Sequence, residues 1–440
     1  MKANLVRWRP MPQWQIPMLY IAAGLVASAV LPRLEEAYLG RYLHEISVNT
    51  AIAFFSAVSS GMMALTGIVF AISFVVVQFS ALAYSPRLVL VFSKDSRVFH
   101  TLGTFFLTFS YSLAALLWTD RNGSGDVPAF SASLVMILLI ISMVMFARMI
   151  QSLNTLQINN VLRTIGGRGR AVIYEMFDRM PTCTGGDAPP APIVPADLGP
   201  PAQSLAYRGE PMVIAKLEIA ALVQLAVAAD ALLVLDCAVG ETLLEGATLL
   251  NVYRARAPLP QKALMQCIHL ETARTYEQDP RYAIRLLVDI AIRALSPGIN
   301  DPTTAVQALD QIEDLLRRLG RREFDAGQAV DAHGVPRLVF PVPTWQDYLA
   351  LSFDEIRQYG AASVQVMRRL RAALVGLAEA VSAERREAVL RYIRHLDLSI
   401  DRTAFDAQDK ASALEEDRQG LGMSRKHSPS EPNEGEGFFL

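Results

Sequence analysis

The chain has 440 residues, 52% of them hydrophobic, and a formal net charge of −2. Its mean hydropathy is positive, but its charge is unevenly placed: twelve Asp, Glu, Lys and Arg residues fall between positions 10 and 147, and 69 fall from Arg148 onward. This division implies a membrane part followed by a long water-facing part, whose slight acidic excess excludes a basic nucleic-acid face.

Residues 1–9 carry Lys2, Arg7 and Arg9, and an apolar run follows over Ile16–Pro32. Two readings fit this run. One is an uncleaved membrane helix at about 16–32; the other is a signal sequence with Ala27-Ser28-Ala29 as its cleavage site. The helix is preferred, and residues 33–45 lie outside in either case.

Ile46–Pro86 carries no Asp, Glu, Lys or Arg. At about 1.5 Å per residue, a helix over most of it exceeds the ~30 Å core of a bilayer. A span at about 50–78 is expected. Ser59, Thr66, Ser73 and Ser80 recur every seven residues and form one slowly drifting stripe. Either the stripe packs neighbouring helices closely through shared hydrogen bonds, or it faces water and lines a pore.

Two further spans are expected at about 98–119 and 127–147, separated by the polar loop Asp120–Asp126. Basic residues gather at the N-terminus, at Arg87, Lys94 and Arg97, and at Arg148, Arg163, Arg168 and Arg170. The positive-inside rule places all three groups, and both termini, in the cytoplasm. No span holds a charge near its middle, which argues against coupled transport and leaves passive conduction or anchoring. His100 is expected at the interface.

Gly166-Gly167-Arg168-Gly169-Arg170 lacks a complete phosphate-loop template and is read as a flexible basic collar near anionic headgroups. A short helix over Ala171–Met180 and a proline-rich linker ending at Gln203 complete a juxtamembrane segment, 151–203. Residues 204–257 form a small β-rich module: strands over Ser204–Tyr207 and Met212–Leu217 flank a turn, followed by a helix and further short strands. No lysine sits at a hairpin tip, so a lipoyl or biotin carrier is excluded.

Residues 258–419 are mainly helical, with helices over Gln261–Tyr276, Pro280–Leu295, Asp301–Leu319, Trp345–Tyr359, Ala361–Val381 and Arg385–Phe405, and a strand near Leu338–Pro341. Residues 420–440 are polar and expected to be disordered. The fold class is therefore a membrane protein with an N-terminal four-helix transmembrane region (1–150) and a mixed α+β, mainly helical cytosolic domain.

Arg274-Thr275-Tyr276-Glu277-Gln278-Asp279-Pro280 and the run from Asp289 through Ser296-Pro297-Gly298-Ile299-Asn300-Asp301-Pro302-Thr303-Thr304-Ala305, with Tyr84-Ser85-Pro86-Arg87 and Tyr359-Gly360, carry a resemblance. The chain resembles an uncharacterised bacterial membrane-protein family, domain of unknown function 2254, up to about residue 420. The resemblance implies a bacterial inner-membrane protein with several N-terminal spans and a cytosolic domain. It supplies no reaction, ligand or catalytic residue.

The candidate ligand-binding residues are Arg274, Asp279, Ser296, Asn300, Asp301, Thr303 and Thr304. A helix N-terminus at Asp301-Pro302 suits an anion, but Asp301 opposes one if it caps the helix itself. Arg274, Asp279, Asp289 and Arg293 alternatively form ion pairs that tie three helices together. The six histidines show no zinc spacing, and Cys183, Cys237 and Cys267 stand alone, as in a reduced compartment. No metal, cofactor or catalytic constellation is expected, and no enzyme. Two roles remain: a homo-oligomeric, channel-like conduit lined by Ser59, Thr66, Ser73 and Ser80, or a membrane-anchored sensor or scaffold that binds a partner or small anion near Asn300–Thr304.

Overall fold

Among the described residues, four helices belong to the first of two units, into which the chain divides between Gln157 and Ile158. The computed structural model describes residues 12, 14–38, 47–83, 96–117, 119, 129–153, 157–177, 198–324 and 327–422. Most of the connector 33–45, the Tyr84–Arg87 motif, the Asp120–Asp126 loop, most of the proline-rich linker and the expected tail beyond residue 422 lie outside the described residues.

The helices of the first unit are α1 (Gln15–Tyr38), α2 (Val48–Ala83), α3 (Ser96–Leu116) and α4 (Ala129–Leu153). Each contains an apolar stretch of 19–28 residues, long enough to cross a bilayer. Helix α3 packs against all three others. Its span is 56% buried inside the unit, against 17–28% for the rest. The reason is its polarity: it is the least hydropathic of the four, and Thr101, Thr104, Thr108, Ser110 and Ser112 are all buried. Hydroxyls facing hydrocarbon would lack partners, so the polar helix occupies the middle. Phe55, Met62, Val69, Phe105, Tyr111 and Val135 fill the core around it. Ile68, Phe70 and Phe74 on α2 and Ile137 and Ile140 on α4 point outward, as lipid contact requires.

The second unit begins with α5 (Ile158–Met176). This helix runs unbroken through Gly166–Arg170, so the expected collar is a helix interior. Gly166 and Gly169 lie on its buried face. A Cβ on Gly169 would sit 2.9 Å from the Cβ of Ala283 and 3.0 Å from both methyl groups of Leu315. The glycines allow close helix approach; they do not loosen the chain.

The strands are β1 (Gln203–Ala206), β2 (Met212–Leu217), β3 (Leu232–Leu235), β4 (Thr242–Leu243), β5 (Thr248–Tyr253), β6 (Ile268–Glu271), β7 (Gln328–Val330) and β8 (Pro336–Val339), with helices α6 (Ile219–Ala228) and α7 (Gln261–Gln266) between them. One sheet has the order β1-β5-β3-β8-β7, the other β4-β2-β6. Strands β1 and β2, which flank one turn, go to different sheets. Among the described strands, only β3 and β8 pair in parallel; the other pairs are antiparallel. The helix expected over Gln261–Tyr276 stops at Gln266, because Ile268–Glu271 adds to the edge of β2. Strands β6, β7 and β8 come from beyond residue 257, so the sheets draw on both the expected β-rich module and the expected helical region. Leu222, Leu233, Leu249, Leu250 and Leu338 form their common core.

The helical layer consists of α8 (Pro280–Ala294), α9 (Pro302–Leu319), α10 (Trp345–Tyr359), α11 (Val364–Ala380), α12 (Ala383–Asp401) and α13 (Ala407–Ala413). Helix α8 packs on α5, α9 and α10, and α9 packs on α5, α8 and α11. Leu286, Leu287, Val288 and Ala291 are fully enclosed, which leaves Arg281, Arg285, Asp289, Ile292 and Arg293 as the partly exposed side chains of α8.

Candidate functional site

Helices α8 and α9 begin with the same local device. A residue in the left-handed region (Gln278, φ +52°; Asn300, φ +50°) precedes an Asp-Pro pair. Proline at the first helical position costs no hydrogen bond, and the preceding aspartate is placed to cap. The two aspartates are nonetheless used differently.

Asp301 caps α9: its carboxylate accepts from the Thr304 amide at 3.1 Å and from the Thr304 hydroxyl at 2.6 Å. The turn before it is closed by backbone bonds from Ile299 and Asn300 to the Ser296 carbonyl and from Asp301 to the Ala294 carbonyl. Ser296 Oγ donates to the Arg293 carbonyl, while Asn300 and Thr303 are exposed. The N-terminus of α9 is thus already occupied by its own carboxylate.

Asp279 makes no cap bond and is only 2% exposed. Arg274 donates to its Oδ2 from Nη2 (2.6 Å) and Nε (3.1 Å), and Arg281 Nε donates to Oδ1 at 3.2 Å. Arg281 also reaches the Val239 carbonyl, and the Gln278 side chain clasps both backbone groups of Leu217. At Gly240 (φ +86°) a Cβ would meet Asp279 Oδ2 at 2.4 Å. This cluster fastens the sheet region to the start of α8. Nearby, Tyr276 meets Tyr282 edge-on and lies beneath Arg168; burial pushes its phenol up to about 12. Tyr348 is fully enclosed, its hydroxyl has no hydrogen-bond partner among the described residues, and burial raises it further.

The seven expected ligand residues therefore fall in two places. Arg274 and Asp279 stand at the start of α8 and the other five at or beyond its end; its fifteen residues put about 22 Å between the two groups. Of the four residues expected to form ion pairs, Arg274 and Asp279 pair with each other. Asp289 pairs with Arg285, which bridges to Glu355 on α10.

One member of the hydroxyl stripe, Ser59, bonds to α3. Ser59 and Thr66 are each 5% exposed. Ser59 Oγ donates to the Phe109 carbonyl at 3.4 Å and accepts from Ser112 Oγ at 3.3 Å; Thr66 returns to the Met62 carbonyl. Ser73 is half-buried, and the Ser80 side chain lies outside the described residues. Two further hydroxyl pairs, Thr108–Ser142 and Tyr111–Ser131, join α3 to α4. These were missed from sequence, although the low hydropathy of the third run was their signal.

A second feature missed from sequence is Arg369 of α11, 4% exposed, which donates to Asp310 at 2.9 Å and Glu313 at 2.6 Å on α9. Burial raises the Asp310 carboxyl against the pull of Arg369. Among the described residues, no group of three His, Cys, Asp or Glu could hold a metal ion.

Residues 12–375 match the sequence model of a family described as "Predicted membrane protein (DUF2254)". Two relatives described as uncharacterized proteins, one from Mycobacterium tuberculosis and one from Mycobacterium bovis, are each 27% identical over 417 residues, covering 91% of this chain and 78% of the relative. No solved structure matches the chain.

Proposed function

The chain belongs to the predicted membrane protein family DUF2254, and from that premise we propose that its four apolar helices anchor a scaffold or sensor domain at the cytoplasmic face of the bacterial inner membrane. The observation that carries this reading over a conduit is the packing of the stripe. Ser59 and Thr66 spend their hydrogen bonds inside the four-helix unit, as helix-packing hydroxyls do. A conduit needs such groups free for water. The cytoplasmic orientation rests on the basic residues near Lys2, Arg87 and Arg148. A non-enzymatic role is supported by Arg274 and Asp279 pairing with each other while Asp301 caps a helix elsewhere.

A homo-oligomer is a second proposal, favoured by the outward face of α2. Ala53, Ala57, Gly61, Ala64, Gly67 and Ala71 are all exposed, and a Cβ on Gly61 or Gly67 would meet nothing within 4 Å. Small residues at such spacing let helices from two copies approach closely. Purified protein in planar bilayers tests the anchor reading. No conductance is expected in any salt, and a reproducible unitary conductance would replace the anchor with the conduit. Native mass spectrometry of Gly61→Leu tests the oligomer: the wild-type mass should be a multiple of the chain and the variant's should not.

A further inference from the structure

The Ser296–Asn300 turn is closed by its own backbone hydrogen bonds and presents an apolar side chain, Ile299, to the outside. We propose that this turn is a bilayer-contacting tip, with Ile299 entering the interfacial layer of the membrane. The inference rests on membrane anchorage and holds whichever side of the membrane the domain occupies.

Helices α5 and α9 run parallel in fixed register. Arg170 on α5 pairs with Asp314 on α9, and Tyr174 with Arg318, each 144 positions apart. The same offset sets Ile158, the first residue of α5, level with Pro302, the first residue of α9. The Ser296–Asn300 turn therefore shares one end of the domain with the first turn of α5. That end is tethered: α4 finishes at Leu153 and α5 starts at Ile158. Five residue steps reach at most about 18 Å, whatever the angle between the two helices. The headgroup layer adds only about 5–8 Å on each side of the hydrocarbon. The end of the domain carrying Ile299 is thus tied by this short connector to the end of the fourth span.

The turn has the chemistry for that position. It contains no charged residue, and its neighbour Asp301 is consumed as a cap. Its amides at Ile299 and Asn300 are satisfied internally by the Ser296 carbonyl (3.0 and 2.9 Å), so no backbone donor of that pair must be desolvated on entry. Ile299 is 43% exposed, and Pro297 and Gly298 beside it are exposed too. A preformed turn loses little conformational freedom when it binds.

The test uses the full chain in liposomes of phosphatidylethanolamine and phosphatidylglycerol, with a benzophenone amino acid placed at position 299 or, as control, at position 330. Val330 is 49% exposed and follows the opposite end of α9. Irradiation is expected to give lipid adducts from position 299 at least several-fold above those from 330. Equal lipid labelling, or an adduct to a second polypeptide in place of lipid, would overturn the proposal. Hydroxyl-radical footprinting of the unsubstituted chain in the same liposomes removes any dependence on the variants. Ile299 should be oxidised several-fold less than Val330, each relative to its rate in the unfolded chain; equal oxidation would likewise overturn it.

Discussion

Gly169 shows how little a residue's local sequence can reveal. Alternating glycine and arginine over 166–170 has the composition of a mobile collar, but the deciding neighbours, Ala283 and Leu315, are far away in the chain. Replacing Gly169 with Ala should destabilise the second unit by about 1–3 kcal/mol, since the added methyl overpacks a rigid contact. Gly167→Ala meets only ordinary contact with Arg170 and should stabilise by up to about 1 kcal/mol through helix propensity. Denaturant unfolding of the two variants checks the opposite signs. Asp331 supplies a pH prediction at the same scale. Arg337 at 2.8 Å, helped by the amides of His333 and Val335, holds its carboxyl down to about 2. A lowered folded-state value means that the contribution is complete above the unfolded carboxyl value of about 3.9 and is lost as pH falls towards 2. A carbon-detected titration of Asp331 should give a midpoint near 2, and Arg337→Met should move it up towards the ordinary value.

Helix boundaries with a chemical punctuation mark were legible. Asp301-Pro302 placed the start of α9 and the cap that occupies it, and Pro280 placed the start of α8. The helix expected over Gln261–Tyr276 failed because strand β2 offered an edge, and tertiary pairing overrode local pattern. Which helix faces which was not legible either. The heptad recurrence of Ser59 and Thr66 gave a stripe but no partner, and did not point to α3, the polar helix that Ser59 meets. A double-mutant cycle on Thr108 and Ser142 should return a coupling of about 0.6 kcal/mol, the usual size for an interhelical hydroxyl pair in a membrane. Between α9 and α11 the stakes are larger. Arg369→Leu should cost about 3 kcal/mol, the low end for breaking a buried pair because Asp310 is half exposed. Converting Asp310, Glu313 and Arg369 together to apolar residues should recover much of that loss, measured by thermal unfolding of the two variants beside the unsubstituted chain.

At the scale of the whole molecule, the partition into a charge-poor front and a charge-rich remainder was written in composition alone, because a bilayer excludes charge so strongly. The sheets were not, since they assemble from strands between Gln203 and Val339 through pairings no local window contains. The candidate ligand set looked contiguous along the chain and is divided in space by the length of α8. Among the described residues, the buried hydroxyls Ser59, Thr66, Thr104, Thr108 and Ser112 of the membrane part bond to backbone carbonyls or to one another. The most direct measurement is cysteine accessibility in intact proteoliposomes, with Cys183, Cys237 and Cys267 replaced by serine and one cysteine introduced at Ser59, Thr66 or Gln151. A charged, water-soluble thiol reagent applied to each side in turn should modify Gln151→Cys, at the exposed end of a span, from the one side which that end faces, and leave Ser59→Cys and Thr66→Cys untouched from both. Rapid modification at positions 59 and 66 would mean that water reaches the stripe, and the bundle would be a conduit after all.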